Sequence, residues 1–359
     1  MSPDANLAAA ATPQEQGFLF PAEWEHQESV ILSCPLNSRT WPDNRPAMEK
    51  AYAAFAAAIS KYEDVRLHCV AAAQTRWRDL LAGAGAKMDR VIMHDLATDD
   101  AWCRDHGPIV LKHRLTSQRA VVSFHYNAWG GKFPPWGQDD LVAERMAGAM
   151  GLPCFQAPLF GEGGALETNG AGMLLTTESV LLNPNRNPGL GKTDIERILR
   201  RFLGVEQIGW LPGGLCGDDT DGHIDTLARF FRPDAVLTLV DDDPMSPNHA
   251  ILQRNLTLLK QMRGPEGRRL EVVPLPCPQP IRPQGWREEI LPASYANFLV
   301  INGAVLAPTY RQDNSDRQAL AVLGQAFPGR DIIPIDSFDI VLEGGALHCL
   351  SQQVPAGKA

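Results

Sequence analysis

The segment EGGAL occurs twice, at 162–166 and again at 343–347, and this repetition constrains the fold more than any other feature. Each copy precedes a short run, and around them helical and strand-like segments alternate with no long linker or low-complexity tract. PAMEKAYAAFAAAISKY opens at Pro46, and its Met48, Tyr52, Phe55 and Ile59 recur at helical spacing. QTRWRDLLAG, DLVAERMAGAMG, TDIERILRRFLG, HAILQRNLTLLKQM and DRQALAVLGQAF read as further helices. VRLHCVA, VIMHD, GMLLTT, VLLN, EQIGWL, EVVPLP and DIIPI read as strands, and IVL with AVVSF, TLARFF with AVLTLV, and FLVING with AVLAPTY read as strand pairs. The proline-rich PLPCPQPIRPQGW at 274–286 reads as a loop, because proline cannot donate to a sheet ladder. One helix for every two or three short strands, repeating about five times, predicts a modular α/β protein. If the modules ring a central axis, the two EGGAL segments converge on one point; a doubly wound sheet is the rival.

A chain of 359 residues, 44% of them hydrophobic and 21% charged, can bury a generous core as one closed domain. MSPDANLAAAATPQEQG has neither the basic start nor the apolar stretch of a signal peptide, so residues 1–16 read as a flexible leader and 17–359 as a single catalytic domain. No run of 18 uncharged apolar residues is present, which predicts a cytoplasmic protein with no membrane partner. The net charge of −9 repels phosphate backbones and attracts cations, which argues against nucleic acid. The seven cysteines contain no C-x-x-C pair, which speaks against a disulfide framework and a thiolate zinc site.

Three stretches carry polar residues too dense for ordinary turns: DDAWCRDHGP at 99–108, YNAWGGKFPPWGQDD at 126–140 and GDDTDGHID at 217–225. As a calcium loop the last would place Gly217 and Ala228 at the two anchoring positions, so its ligands are missing. His223 and Asp225 could share a transition metal only with a further ligand from elsewhere. DDAWCRDHGP can be read as a surface turn with an internal Arg104–Asp105 pair, but Trp102 among carboxylates also makes a wall on which a flat cation can stack. The inventory is cysteine, histidine and clustered carboxylates, which suggests thiolate catalysis on a cation. Guanidinium fits best, being planar, always charged, and able to present N–H forks to two carboxylates.

PAEWEHQESVILSCPLNSRTWPDN, DDAWCRDHGP, NAWGGKFPPW, EGGAL, LLNPNRNPGL, DDTDGHID, YANFLVING and EGGALHCLSQQVP, in this order, resemble the agmatine deiminases and the bacterial-type peptidylarginine deiminases of the guanidino-group-modifying superfamily. The resemblance spans roughly residues 17–355. It implies a pentein, a five-bladed pseudo-symmetric α/β propeller of ββαβ modules, with the doubled EGGAL at homologous places in two blades. It also implies a hydrolase of linear amidines with Cys349 as nucleophile, His223 as general acid and base, and Asp105 and Asp225 as the carboxylates that hold the guanidinium. Glu162 would touch substrate or steady His223, and Trp102, Asp219 and Asn297 would line the pocket. Neither cofactor nor metal is implied, and relatives of this kind are often dimers.

The family usually writes G-G-G-N-I-H-C before the nucleophile; here the segment is EGGALHC, with Glu343 for a glycine and Ala346 for the asparagine. Relatives that act on C-terminal arginine hold its carboxylate with arginines, whereas the corresponding stretch here offers only Lys132. Agmatine, with an ammonium at its far end, suits extra carboxylates such as Asp219. The expectation is therefore agmatine to N-carbamoylputrescine and ammonia through a thiouronium on Cys349. Free arginine, peptidylarginine, or a non-catalytic propeller that binds a partner are the alternatives.

Overall fold

The computed structural model describes residues 11–264, 267–283 and 289–357. Among them the strands form five separate sheets, and each repeats one unit. In the second sheet Ile109–His113 pairs antiparallel with Arg119–His125, the helix Val142–Met150 crosses over, and Cys154–Phe160 returns parallel. The third sheet does the same with Glu167–Thr168, Met173–Thr177, the helix Lys192–Leu203 and Gln207–Leu211. Ala228–Arg232, Ala235–Val240, His249–Gln261 and Glu271–Pro276 make the fourth unit. Leu299–Ile301, Ala304–Thr309, Asp313–Ala326 and Asp331–Asp336 make the fifth. The first is assembled from both chain ends: Ser351–Pro355 pairs antiparallel with Gln27–Ser33, and the helix Arg45–Ser60 leads to the parallel strand Asp64–His68. A parallel return needs a crossover, and the amphipathic helix supplies both the length and a cover for the sheet.

The helices form where the apolar spacing predicts. Ile195, Ile198, Leu199, Phe202 and Leu203 are the buried face of Lys192–Leu203, and Met48, Tyr52, Phe55 and Ile59 are fully buried in Arg45–Ser60. VLLN departs from the prediction: Glu178–Leu181 is a helical turn that buries Val180 and Leu181, since so short an apolar run has no periodicity to separate strand from helix. The expected proline loop begins inside a strand, because Pro274 and Pro276 lie in the edge strand Glu271–Pro276, where a missing donor is tolerated; residues 284–286 lie outside the described residues. Of the stretch read as a leader, residues 1–10 lie outside the described residues, while Thr12 is buried and the Gln14 amide donates to Arg201 O at 3.1 Å.

Each sheet shares its apolar core with at least two others. Ile31 and Val354 of the first pack with Val110 and Val121 of the second, and Val122 of the second clusters with Leu174 of the third. Leu175 of the third joins Leu237 of the fourth and Val305 of the fifth, and Leu299 of the fifth joins Val30 of the first. No helix among the described residues is long and apolar enough to cross a membrane.

Candidate active site

A cavity of about 340 Å³ opens where segments from several units meet, lined by Trp102, Asp105, Trp129, His223, Gly345 and Cys349 among others. Asp105 sits in a single helical turn, Cys103–His106. The turn is tied directly to the segment that carries Cys349: the Arg104 amide donates to Cys349 O at 3.1 Å, and Arg104 Nε donates to His348 O at 3.2 Å. Asp139 accepts the amides of Asp99 at 2.7 Å and Asp100 at 3.1 Å, which fixes the bend that leads to Trp102. The Arg104–Asp105 surface pair read from the sequence is absent. Both side chains are buried, and Arg104 points away from Asp105 to Gln353 Oε1 at 2.6 Å.

The doubled EGGAL has a steric explanation. Gly164 and Gly345 occupy the same place in the two copies, and each is passed closely by active-site side chains. A Cβ on Gly164 would lie 2.5 Å from His223 Nδ1 and 2.8 Å from Asp105 Oδ1; one on Gly345 would lie 2.3 Å from the Trp102 ring and 3.0 Å from Cys349 Cβ. The bare backbone also works electrostatically, since the Gly164 amide donates to Asp105 Oδ1 at 3.0 Å. The other oxygen, Oδ2, accepts from the indole of Trp129 at 3.0 Å. Trp129 is presented from a left-handed backbone (φ 56°), a strain that its burial and hydrogen bond compensate.

His223 lies between two carboxylates, with Nδ1 3.6 Å from Asp105 Oδ1 and Nε2 3.8 Å from Glu162 Oε2. Burial works against a charged ring, but Asp105, Glu162 and Asp225 overcome it and raise the imidazolium to about 9. Burial also raises Asp105 to about 6, against the pull of His223. For Glu162 burial loses: Arg186, 2.5 Å from Oε1, and His223 hold its carboxyl below the usual range. Burial pushes the Cys349 thiol well above the ordinary range, and the charges of Asp225 and Asp105 push it further.

The expected residues therefore fall into two layers. Cys349, His223, Asp105, Trp102 and Asp219 line the cavity. Asp225, Glu162 and Asn297 are almost fully buried behind that wall. Asp225 Oδ2 is 3.8 Å from Cys349 Sγ, and Glu162 reaches His223 instead of the cavity. Asn297, expected to line the pocket, is displaced behind Cys349 because its Oδ1 accepts the His348 amide at 3.1 Å; its Nδ2 then faces Cys349 Sγ at 3.2 Å. Lys132 lines the cavity with its ammonium on Asp219 O and Asp221 Oδ1, both at 2.7 Å.

Sequence reasoning missed Trp129, Arg186, Arg39 and His348. All four stand inside quoted motifs, which was a signal in itself; Arg39 is an exposed side chain that lines the cavity from a polar loop beside Asn37 and Thr40.

Residues 19–355 match the model of the Porphyromonas-type peptidyl-arginine deiminases. The chain belongs to that family. It is 38% identical to a putative agmatine deiminase of Vibrio parahaemolyticus over 98% of this chain and all of that protein. Its structure is similar to that of the agmatine deiminase of Enterococcus faecalis, with TM-score 0.90, 31% identity, and 98% and 99% of the two chains covered. Fold alone is shared, at TM-score 0.50 and 15% identity, with DDAH from Pseudomonas aeruginosa, which covers 91% of this chain and 99% of that one. The Porphyromonas-type deiminase described here thus has an α/β pentein fold.

Proposed function

We propose that this chain hydrolyses the guanidinium of agmatine to N-carbamoylputrescine and ammonia. The observation that carries the reading is the sharing of one acid-rich cavity by the Cys349 thiol, the His223 imidazolium and Asp105, with Asp225 against the sulfur. Among the described residues seven carboxylates line the cavity against three cationic side chains, Arg39, Lys132 and the protonated His223, a balance that favours a cation. The names of the agmatine deiminases from Vibrio and Enterococcus support the same substrate.

In the mechanism the Cys349 thiolate adds to the central guanidinium carbon. His223, protonated at neutral pH, donates its proton to the departing ammonia, and a thiouronium remains on the sulfur. The now neutral imidazole takes a proton from water, which attacks the same carbon; the ureido product leaves and the thiol is regenerated. Asp105 and Asp225 balance the cation throughout, while Glu162, anchored by Arg186, keeps His223 charged in the resting state. Because carboxylates raise the thiol in the empty protein, arrival of a guanidinium lowers it, so substrate activates its own nucleophile.

We further infer that the five sheets are blades of one pseudo-fivefold propeller. Support comes from the repeated unit and from cores shared by each sheet with at least two others.

Arg39 favours a second reading, a guanidino substrate with a carboxylate at its far end, since its exposed guanidinium lines the cavity. Ammonia release from agmatine, free arginine and a peptide ending in arginine separates the two. Fastest turnover of agmatine is expected; preference for either carboxylate-bearing compound would favour the Arg39 reading, and silence on all three would end both.

A further inference from the structure

The His348 side chain, adjacent to the nucleophile, has no part in the chemistry described above. Its imidazole is 1% exposed and lies between two carboxylates, with Nδ1 2.7 Å from Asp225 Oδ2 and Nε2 2.8 Å from Glu23 Oε2. A proton on Nδ1 donates to Asp225 and one on Nε2 donates to Glu23, so the ring lies within hydrogen-bond reach of both carboxylates. Glu23 is itself fixed. Its Oε2 accepts from Arg229 Nη2 at 2.6 Å and its Oε1 from the Val300 amide at 2.7 Å. Arg229 is held in turn by Glu167 Oε2 at 2.8 Å. A rigid chain therefore runs from the fourth unit through Glu23 and His348 to Asp225, ending 3.8 Å from Cys349 Sγ.

The consequence falls on Asp225. With Oδ2 held by His348, the carboxylate cannot rotate, and Oδ1 is buried without a hydrogen-bond partner among the described residues. A buried carboxylate oxygen left in that state is costly unless a donor arrives. We infer that His348 is a positioning residue that clamps one oxygen of Asp225 and so aims the other, Oδ1, at the substrate guanidinium. The clamp and the nucleophile are consecutive residues, which makes their relative placement a property of one peptide unit. Asn297 Oδ1 accepts the amides of both, at 3.1 Å for His348 and 3.4 Å for Cys349. This inference rests on the deiminase reading and adds to it a residue that never touches substrate.

Two conservative variants separate clamping from packing. In His348→Asn the side-chain amide stands near the Nδ1 position and can donate to Asp225, whereas in His348→Gln it reaches the Nε2 position and can donate only to Glu23. Turnover is measured with agmatine, arginine and a peptide ending in arginine, using the compound the unsubstituted protein hydrolyses fastest, with thermal midpoints recorded in parallel. The expected result is a KM near the parent value for His348→Asn and a KM raised about tenfold or more for His348→Gln, beyond any change in kcat. Equal effects in the two variants, or none in either, would overturn the positioning role while leaving the deiminase reading intact. Absence of turnover by the unsubstituted protein on every compound would overturn both. If His348→Gln does not fold, a crystal structure of Cys349→Ser with agmatine decides: Oδ1 on the guanidinium with Oδ2 still on His348 supports the clamp, and any other pairing of Asp225 overturns it.

Discussion

At Cys349 and His223 the same carboxylates act with opposite effect, holding the thiol protonated and the imidazole charged. The proposed mechanism needs Asp105 ionised, hence a pH above about 6, and His223 protonated, hence a pH below about 9. We therefore expect kcat/KM to fall on both sides of that window; a rate still climbing past pH 10 would contradict the role of His223. In the empty protein, iodoacetamide labelling of Cys349 should rise through pH 9 without levelling, and a non-reacting guanidinium ligand should move the curve to lower pH. Cys349→Ser is expected to abolish ammonia release while agmatine still binds by calorimetry. Trp129→Phe removes the indole donor to Asp105 and should lower kcat/KM by about tenfold, the worth of one hydrogen bond to a charged group. The chemical inventory at this scale was legible in the motifs, because residue type suggests a thiol, an imidazole and a cation cradle, while the assignment to Cys349 and His223 came from the family resemblance. Which acids reach the cavity was not. Asp105 and Asp225 look alike in sequence, and only burial distinguishes the one that lines it from the one behind the wall.

Among the elements, the two EGGAL turns repeat because the side chains crossing them leave no room for a Cβ. Gly345→Ala should displace Trp102 or Cys349 and lower kcat/KM by about a hundredfold, the usual cost of misplacing a reacting group by an ångström. Gly148→Ala is the matching control. It lies in the helix Val142–Met150 with nothing within 4 Å of its Cβ direction, so the variant should keep its activity and gain about 0.5–1 kcal/mol in chemical denaturation. The long helices and the antiparallel pairs were readable from periodicity, since a buried face must recur every 3.6 or 2 residues whatever it packs against. The turn at Glu178–Leu181 and the prolines in Glu271–Pro276 were not, because their conformations depend on position at the end or edge of a sheet.

For the molecule as a whole, the first unit is closed by the C-terminal strand: Ser351–Pro355 completes a sheet begun by Gln27–Ser33. A chain ending at Leu350 keeps every active-site side chain yet exposes that sheet edge, so it is expected to lose the cooperative thermal transition seen by circular dichroism. The buried charges beneath the cavity bind units together as well. Arg229→Met would strand Glu23 and Glu167, and should cost about 3–5 kcal/mol of stability, read from the denaturant midpoint. Local spacing and residue type were enough to predict a modular α/β chain, its helices, and a thiol chemistry directed at a cation, because periodicity and side-chain reactivity are carried by neighbouring residues. Closure by the two chain ends, the burial that separates Asp105 from Asp225, and the contact of His348 with Glu23 arose only on folding. Those residues lie far apart along the chain, and their charges acquire their strength from the low-dielectric interior that the packed sheets create.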